Sequence, residues 1–73
     1  MQDKDKKYLE QLGKRIYKLR TERKLTLESV CYKNSIEPST LNRIENAQVE
    51  PKYLTLLKIA KAFNMTISEL LDF

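Results

Sequence analysis

The stretch from Ser35 to Ala47, SIEPSTLNRIENA, has the pattern of a short helix with one apolar side and one hydrogen-bonding side. At about 100° per residue, Leu41 and Ile44 lie roughly opposite the polar stripe. That stripe consists of Ser39, Asn42, Arg43 and Asn46. Pro38 suits the first helical position, because the N–H that proline lacks would have no partner there. We therefore predict a helix over about 38–45, which is too short to be stable alone and must be anchored by the rest of the chain.

A second short helix is predicted just before it. Thr26 is a suitable N-cap, and Glu28 favours the first turn through the helix dipole, which predicts a helix over about 27–34. Two such helices joined by a turn are the helix-turn-helix arrangement, in which the second helix enters the major groove of DNA. The stripe also has the side chains that read base edges: Arg pairs with guanine, Asn pairs with adenine, and Ser can bond to either of these bases. A solvated helix face would show the same stripe, so the prediction of DNA reading by residues 27–45 depends on the neighbouring helices.

The first of these neighbours is a long amphipathic helix. Apolar residues at steps of three and four predict helix 1 over about 5–23, although Gly13 weakens it slightly. The apolar positions are Leu9, Leu12, Ile16 and Leu19. Residues 1–7 are charged, and we expect them to form a flexible N-terminal segment that precedes the domain.

Two further helices follow the polar one. The segment YLTLLKIAKAFN predicts helix 4, which is apolar on several sides, as a central helix would be, and which ends at Asn64. Thr66 and Glu69 have capping-box spacing, so a short helix 5 should start there. With no internal repeat, low-complexity run or long linker, residues 8–73 are expected to fold as one compact all-α domain of five helices.

Composition excludes several classes of function. With 73 residues, the chain makes one small domain at most. No stretch approaches about eighteen apolar residues and no signal-peptide pattern is present, so we expect a protein with no membrane partner that is cytoplasmic, or nuclear if its source has a nucleus. One cysteine and no histidine exclude an internal disulfide, the usual zinc sets and His-based nucleophiles. We expect no enzyme activity, no metal and no cofactor, and Cys31 should be a small buried residue.

The order of four motifs resembles a known family. LGKRIYKLR, LTLESV, STLNRIENA and TLLKIAKAFNMTISELL together cover about residues 12–71. They are similar to the lambda-repressor-like helix-turn-helix family, also called the Cro/cI or XRE type. The resemblance implies a five-helix DNA-binding domain that usually acts as a dimer on an operator.

The resemblance also implies roles for individual residues. The base-reading positions on the recognition helix are Pro38, Ser39 and Arg43, with Asn42 beside them. The positions expected at DNA phosphates are Thr26, Thr40, Asn46 and Gln48. Arg20 and Glu45 match a pair that joins helix 1 to the end of helix 3, and we interpret that pair as structural.

Three departures from the family pattern bear on DNA binding. Leu27 stands where the family often has a Gln that reaches a phosphate. Ser35 and Ala47 occupy turn positions that often hold Gly, so either they adopt a positive φ that is costly for Ser or Ala, or the turn is rebuilt. Glu37 and Glu50 sit near the expected phosphate surface, although Glu37 could instead accept a hydrogen bond from cytosine. Because residues 25–50 carry two Lys or Arg against four Asp or Glu, we expect weak non-specific binding and a heavier reliance on specific contacts.

The predicted function is sequence-specific regulation of transcription. The chain would be a small prokaryotic or phage repressor, a restriction–modification controller or an antitoxin that represses its own operon. It would bind double-stranded DNA at a near-palindromic operator as a homodimer. The alternative is a protein-interaction module of the same fold, such as an antitoxin that binds a toxin.

The dimer contact is expected at the C-terminal segment ISELLDF. Leu70 and Leu71 are adjacent, so they cannot both face the same core, and a terminal aromatic has little reason to be there unless it packs on something. We therefore predict Leu70, Leu71 and Phe73 at the dimer interface. The alternative is that Phe73 folds back onto helix 1 of its own subunit.

Overall fold

A computed structural model of the chain describes residues 3–73, and every regular element in that range is helical. The helices are α1 (Asp3–Glu22), α2 (Leu27–Asn34), α3 (Pro38–Glu45), α4 (Tyr53–Ala62) and α5 (Ile67–Leu70). The all-α, five-helix class is therefore confirmed, and α2 and α3 have the bounds predicted from the sequence. Within this described range, no helix has both the length and the apolar character needed to span a bilayer.

The start of α1 corrects one prediction. The sequence predicts a flexible segment over residues 1–7, but residues 3–7 belong to α1. Acidic residues at a helix N-terminus favour the dipole, and the stretch DKDKK contains neither Gly nor Pro to stop the helix. The side chains from Lys4 to Tyr8 are exposed, so this added turn extends away from the core. Met1 and Gln2 lie outside the described residues.

A single core draws apolar side chains from all five helices. Its buried members are Leu12, Ile16, Leu19, Val30, Cys31, Ile36, Leu41, Ile44, Ile59, Ala60, Phe63 and Leu70. Leu41 and Ile44 are almost fully buried, and burial of each such side chain contributes about 1.5–3 kcal/mol. These two side chains are what anchor the otherwise polar α3 to the domain.

α4 is less central than its sequence suggests. Ile59 and Ala60 are buried on one side of this helix. Leu56 and Ala62 also pack against the core, whereas Tyr53, Leu54 and Leu57 are exposed and do not contribute to it. This leaves an uncovered apolar surface on α4.

Gly13 fixes how closely α1 approaches α3. A Cβ atom at this position would lie 2.8 Å from the carbonyl oxygen of Ile44 and closer still to that of Glu45. Both obstacles are backbone atoms, so they could not turn aside as the end of a side chain could. The sequence predicts only a small cost from this glycine in a helix, whereas the structure shows that the α1–α3 contact requires it.

The turns after α2 and α3 use left-handed residues, as the family resemblance implies. Ser35 has φ 55° and Ala47 has φ 58°, although neither is glycine. In both turns the next backbone N–H closes the helix, from Ile36 to the Cys31 carbonyl and from Gln48 to the Arg43 carbonyl. The turns are therefore kept without glycine, at a cost of roughly 1–2 kcal/mol for each left-handed residue.

Candidate nucleic-acid interface

The outward face of α3 carries the residues predicted to read bases. Pro38 is the first residue of the helix, and Pro38, Ser39, Asn42 and Arg43 are all exposed. Asn46 follows directly as the C-cap, and its Nδ2 donates to the backbone oxygen of Asn42 at 2.8 Å and to Oδ1 of Asn42 at 3.2 Å. The structure thus brings the predicted base-reading residues onto one surface and joins one of them to a predicted phosphate-contacting residue.

The opposite face of α3 is held by an ion pair as well as by the core. Nε of Arg20 donates to Oε2 of Glu45 at 2.8 Å, and Nη2 of Arg20 donates to Oε1 of Glu45 at 3.1 Å. Nη1 of Arg20 donates to the carbonyl of Leu25 at 2.8 Å. The side chains of Arg20 and Glu45 are only 12% and 7% exposed. The pair therefore connects α1, the loop before α2 and the last turn of α3.

This ion pair also changes the titration of its arginine. The hydrogen bond with Glu45 raises the pKa of Arg20, and this effect exceeds the opposing effect of burial. Arg20 thus keeps its charge at any physiological pH, and its contact with Glu45 acts as a fixed brace for α3.

Thr26 and Thr40 are used differently. Thr26 is the N-cap of α2, where its Oγ1 accepts from the N–H of Ser29 and its own N–H donates to Oγ of Ser29. This reciprocal partner was not foreseen from the sequence, since the signal is a Ser three residues after the cap rather than the more familiar Glu or Gln. Thr26 is exposed, whereas Thr40 is half-buried.

Two grooves flank α3. The α1–α3 groove has a volume of about 510 Å³ and is lined by Lys14, Tyr17, Arg20, Leu27, Asn42, Glu45 and Asn46. The groove on the other side has a volume of about 330 Å³ and lies against the loop after α3, with Thr40, Arg43 and Glu50 among its lining residues. Gln48 is exposed on that loop. Of the residues predicted to contact phosphates, Asn46 lines the first groove and Thr40 lines the second.

Both acidic departures and the apolar one lie next to α3 or to the grooves beside it. Glu37 is the N-cap of α3 but makes no side-chain capping hydrogen bond, and it is exposed. Glu50 is exposed at the flank formed by the loop. Leu27 is half-buried and packs against the core, so it presents no donor to the α1–α3 groove. Thus two carboxylates and one leucine lie where phosphate-binding groups would be expected.

Three residues on α1 were not singled out from the sequence. Lys14 and Tyr17 line the α1–α3 groove. Arg15 reaches the other end of the domain, where its Nε donates to the Leu70 carbonyl at 3.2 Å and its Nη2 to the Glu69 carbonyl at 2.8 Å. Helical periodicity separates apolar from polar residues, but it does not reveal which neighbour each polar residue meets.

The predicted dimer residues do not share one environment. Leu70 is completely buried in the core of its own chain, so its assignment to a dimer interface is wrong. Its neighbour Leu71 is 41% exposed and Phe73 is 55% exposed. Because adjacent residues point in different directions, only one of the two leucines can enter the core.

Cys31 has the environment predicted for it. It is a free cysteine buried in the core. Burial is the main cause of a raised pKa for its thiol, with the charge of Glu28 adding to the effect. A thiol that is both buried and protonated is a small apolar residue in practice.

Comparisons with known proteins agree with this geometry. A family model described as a helix-turn-helix domain matches residues 13–72. No curated protein matches the sequence significantly. Among solved structures, the restriction–modification controller protein C.AhdI from Aeromonas hydrophila is similar with a TM-score of 0.81 and 27% identity, over 85% of this chain and 94% of that one.

Two longer proteins contain a similar domain. An HTH_3 family transcriptional regulator from Vibrio cholerae matches 90% of this chain with a TM-score of 0.83 and 26% identity. The apo form of the competence regulator ComR from Streptococcus vestibularis matches 89% of this chain with a TM-score of 0.84 and 27% identity. The matches cover only 37% and 22% of those two chains.

Proposed function

Because the chain belongs to the helix-turn-helix domain family, of the XRE type, we propose that it regulates transcription by binding a near-palindromic operator as a homodimer. The observation that carries this proposal is the division of α3 into two faces. Leu41 and Ile44 are buried, Glu45 is held by Arg20, and the remaining face presents hydrogen-bonding side chains to solvent. A helix that is braced on one face and polar on the other suits insertion into a major groove.

Base readout is assigned to the exposed face of α3. Arg43 has the geometry to donate two hydrogen bonds to a guanine, and Asn42 can pair with an adenine. Ser39 and Pro38 lie at the N-terminal end of α3, which approaches the bases most closely in this arrangement. Each correct contact of this kind discriminates against the wrong base by about 1–3 kcal/mol.

Phosphate contacts are assigned to the flanks. Asn46 lines the α1–α3 groove and Thr26 caps the nearby α2, whereas Thr40 lines the second groove and Gln48 lies on the loop after α3. Contacts of this type fix the register of the protein on the duplex and add to affinity on any sequence. Glu37 and Glu50 oppose that general attraction, so the ratio of specific to non-specific affinity should be high.

The proposed dimer follows from the small size of the recognition surface. One α3 reads only a few base pairs, and two copies placed about 34 Å apart would read two half-sites on one side of the duplex. Leu71 and Phe73 are exposed apolar side chains, and we assign them to the contact with a second copy of the chain. Sedimentation of the wild type should show a dimer, and a Leu71→Ser, Phe73→Ser variant should be a folded monomer that binds DNA far more weakly. A wild type that is monomeric at tens of micromolar, or a variant that stays dimeric, would remove this interface.

Selection from a random pool of duplex DNA tests the function directly. We expect enrichment of a near-palindromic site with half-sites one helical turn apart. Gel shifts on the selected site and on a scrambled site, across about 50–200 mM salt, then measure specific and non-specific affinity. Failure to enrich any sequence, with equal weak binding to all duplexes, would contradict sequence-specific regulation.

The uncovered apolar surface on α4 supports one alternative. Tyr53 and Leu54 are 63% and 68% exposed, and such a surface could contact another protein, such as a toxin. In that case the chain would be an antitoxin, or an interaction module of the same fold without DNA binding. Gel shifts on genomic and on random DNA would separate these two roles, because an interaction module without DNA binding would retard neither kind of DNA. Within the DNA-binding reading, the similarity to a restriction–modification controller favours a controller-type role.

A further inference from the structure

The α1–α3 groove contains one positive group that no other residue of the groove neutralises. Glu45 is the only acidic residue among its lining residues, and both of its oxygens accept hydrogen bonds from Arg20. The third donor nitrogen of Arg20 is held by the Leu25 carbonyl. The Arg20–Glu45 pair therefore leaves little net charge in the groove, and the exposed Lys14 supplies the positive potential there.

We propose, on the premise of the DNA-binding function, that the α1–α3 groove is a subsite for a backbone phosphate of the bound duplex. Lys14 and Tyr17 of α1 are its phosphate ligands, and Asn46 closes it from the side of α3. This subsite supplies a contact that Leu27, with its apolar side chain, cannot provide.

The approach of α1 to α3 is what places these residues together. Gly13 lies against the backbone carbonyls of Ile44 and Glu45, at the last turn of α3. Lys14 follows Gly13, and Tyr17 lies nearly one turn further along α1. Both side chains therefore border the groove that Asn42 and Asn46 border from the other side.

Tyr17 is held in place by its neighbour. The guanidinium carbon of Arg20 lies 5.4 Å from the centre of the Tyr17 ring, which is within the range of a cation–π contact. Because Arg20 is itself held by hydrogen bonds to Glu45 and to the Leu25 carbonyl, the ring packs against a side chain with a defined position. Tyr17 is nonetheless 54% exposed and lines the groove, so a ligand in the groove can reach its side chain.

A duplex phosphate is the ligand that the position of the groove favours. The groove begins at Asn42 and Asn46, on the same side of α3 as part of the proposed base-reading surface. When a recognition helix enters the major groove, the sugar–phosphate backbones run along its two flanks. A lysine ammonium and a tyrosine hydroxyl are both donors whose hydrogen bonds phosphate oxygens accept.

Lys14→Gln tests the subsite, with Lys18→Gln as the matched control. Lys18 lies on the same helix and is exposed, but it is not in the groove and it pairs with Glu22 at 3.9 Å. We expect Lys14→Gln to lower affinity about five- to tenfold on the selected and scrambled sites alike, and to reduce the salt slope by about 0.9. Lys18→Gln should change affinity less than about twofold, as expected of a charge that makes no phosphate contact.

Two further variants distinguish a direct contact from a general charge effect. Tyr17→Phe removes one hydrogen bond without a charge, so it should lower affinity about two- to fivefold with little change in the salt slope. Leu27→Gln places a donor in the same groove. In a protein that carries Leu27→Gln, the further change Lys14→Gln should therefore lower the affinity for DNA less than it does in the wild type. Thermal melting should show each variant folded at the temperature of the binding assay.

The outcomes separate the subsite from the proposed function. Equal losses for Lys14→Gln and Lys18→Gln, on a wild type that binds its selected site, would overturn the subsite alone. A loss confined to the selected site would also overturn it, because a phosphate contact is independent of sequence. A wild type that binds no duplex would overturn the proposed function and the subsite with it.

Discussion

The two faces of α3 are built from different interactions, although they belong to one helix of eight residues. The inner face consists of Leu41, Ile44 and Glu45, which are buried or almost buried and held by the core and by Arg20. The outer face consists of Ser39, Asn42 and Arg43, which are exposed. Stability and recognition are therefore assigned to different residues, and substitutions on the two faces should have separable effects.

The largest effect is expected from the ion pair of the inner face. Glu45→Ala would leave the guanidinium of Arg20 mostly buried with only the Leu25 carbonyl as a partner, which should lower the free energy of unfolding by about 3 kcal/mol. Thermal melting should show a fall of at least about 10 °C for a domain of this size. Glu22→Ala is the control, since the Lys18–Glu22 pair is exposed and should contribute about 0.5 kcal/mol or less. Melting of Glu45→Ala at the wild-type temperature would show that the inner face does not depend on this brace.

The contact between α1 and α3 should give the next largest effect. Gly13→Ala places a methyl group against the backbone carbonyls of Ile44 and Glu45, so α1 or α3 must shift, at a cost of about 1–3 kcal/mol. Elsewhere in a helix, Gly to Ala stabilises by up to about 1 kcal/mol. A loss of stability in Gly13→Ala would therefore indicate the close contact between α1 and α3, and a gain would contradict it. Gln11→Ala, at an exposed position of the same helix, should change the melting temperature little. A Gly13→Ala variant more stable than the wild type would show that α1 and α3 leave room for a methyl group at this position.

The outer face should respond in affinity rather than in stability. Arg43→Ala should weaken binding to the selected site by about 1–3 kcal/mol and relax the preference at one base position, with an unchanged melting temperature. Gln48→Ala should instead weaken all sequences alike, as the loss of a phosphate contact does. Gel shifts on the selected site and its single-base variants measure both the loss of affinity and the change in base preference. Equal losses on specific and random DNA would reassign Arg43 to the phosphate backbone.

Helix positions were predictable from local signals in the sequence. Pro38, the Thr26 cap and the Thr66–Glu69 capping box fix the starts of three helices, and each of these starts is observed. These are short-range effects of backbone hydrogen bonding, so they need no knowledge of the tertiary structure. The family resemblance, rather than a local signal, marked Ser35 and Ala47 as turn positions, and of its two alternatives the positive φ is observed and the rebuilt turn is not.

Contacts between helices were less predictable. The sequence marks Leu70 and Leu71 as equally apolar, and only the packing of α5 decides that Leu70 is the buried one. Likewise, nothing local to α1 indicates that Lys14 and Tyr17 border α3 while Arg15 reaches the carbonyls of α5. These contacts depend on how the helices approach one another. In this domain Gly13 has a large part in setting the distance between α1 and α3.

The smallest effect is expected where α3 ends. Ala47 has φ 58°, and Gly adopts this conformation without the steric cost that a Cβ atom imposes. Ala47→Gly relieves that cost but also gives the unfolded chain more freedom, so we expect a net gain of about 0.5–1 kcal/mol and a rise of a few degrees in melting temperature. Ala62→Gly is the control, because Ala62 is the last residue of α4 and has no positive φ to relieve, so the same change there should destabilise the domain, by up to about 1 kcal/mol. Base preference, measured on the single-base variants of the selected site, should not change, since Ala47 lies beyond the outer face. A changed base preference would mean that the turn after α3 helps to set the angle at which that helix meets the DNA, and the separation of the two faces would then be incomplete.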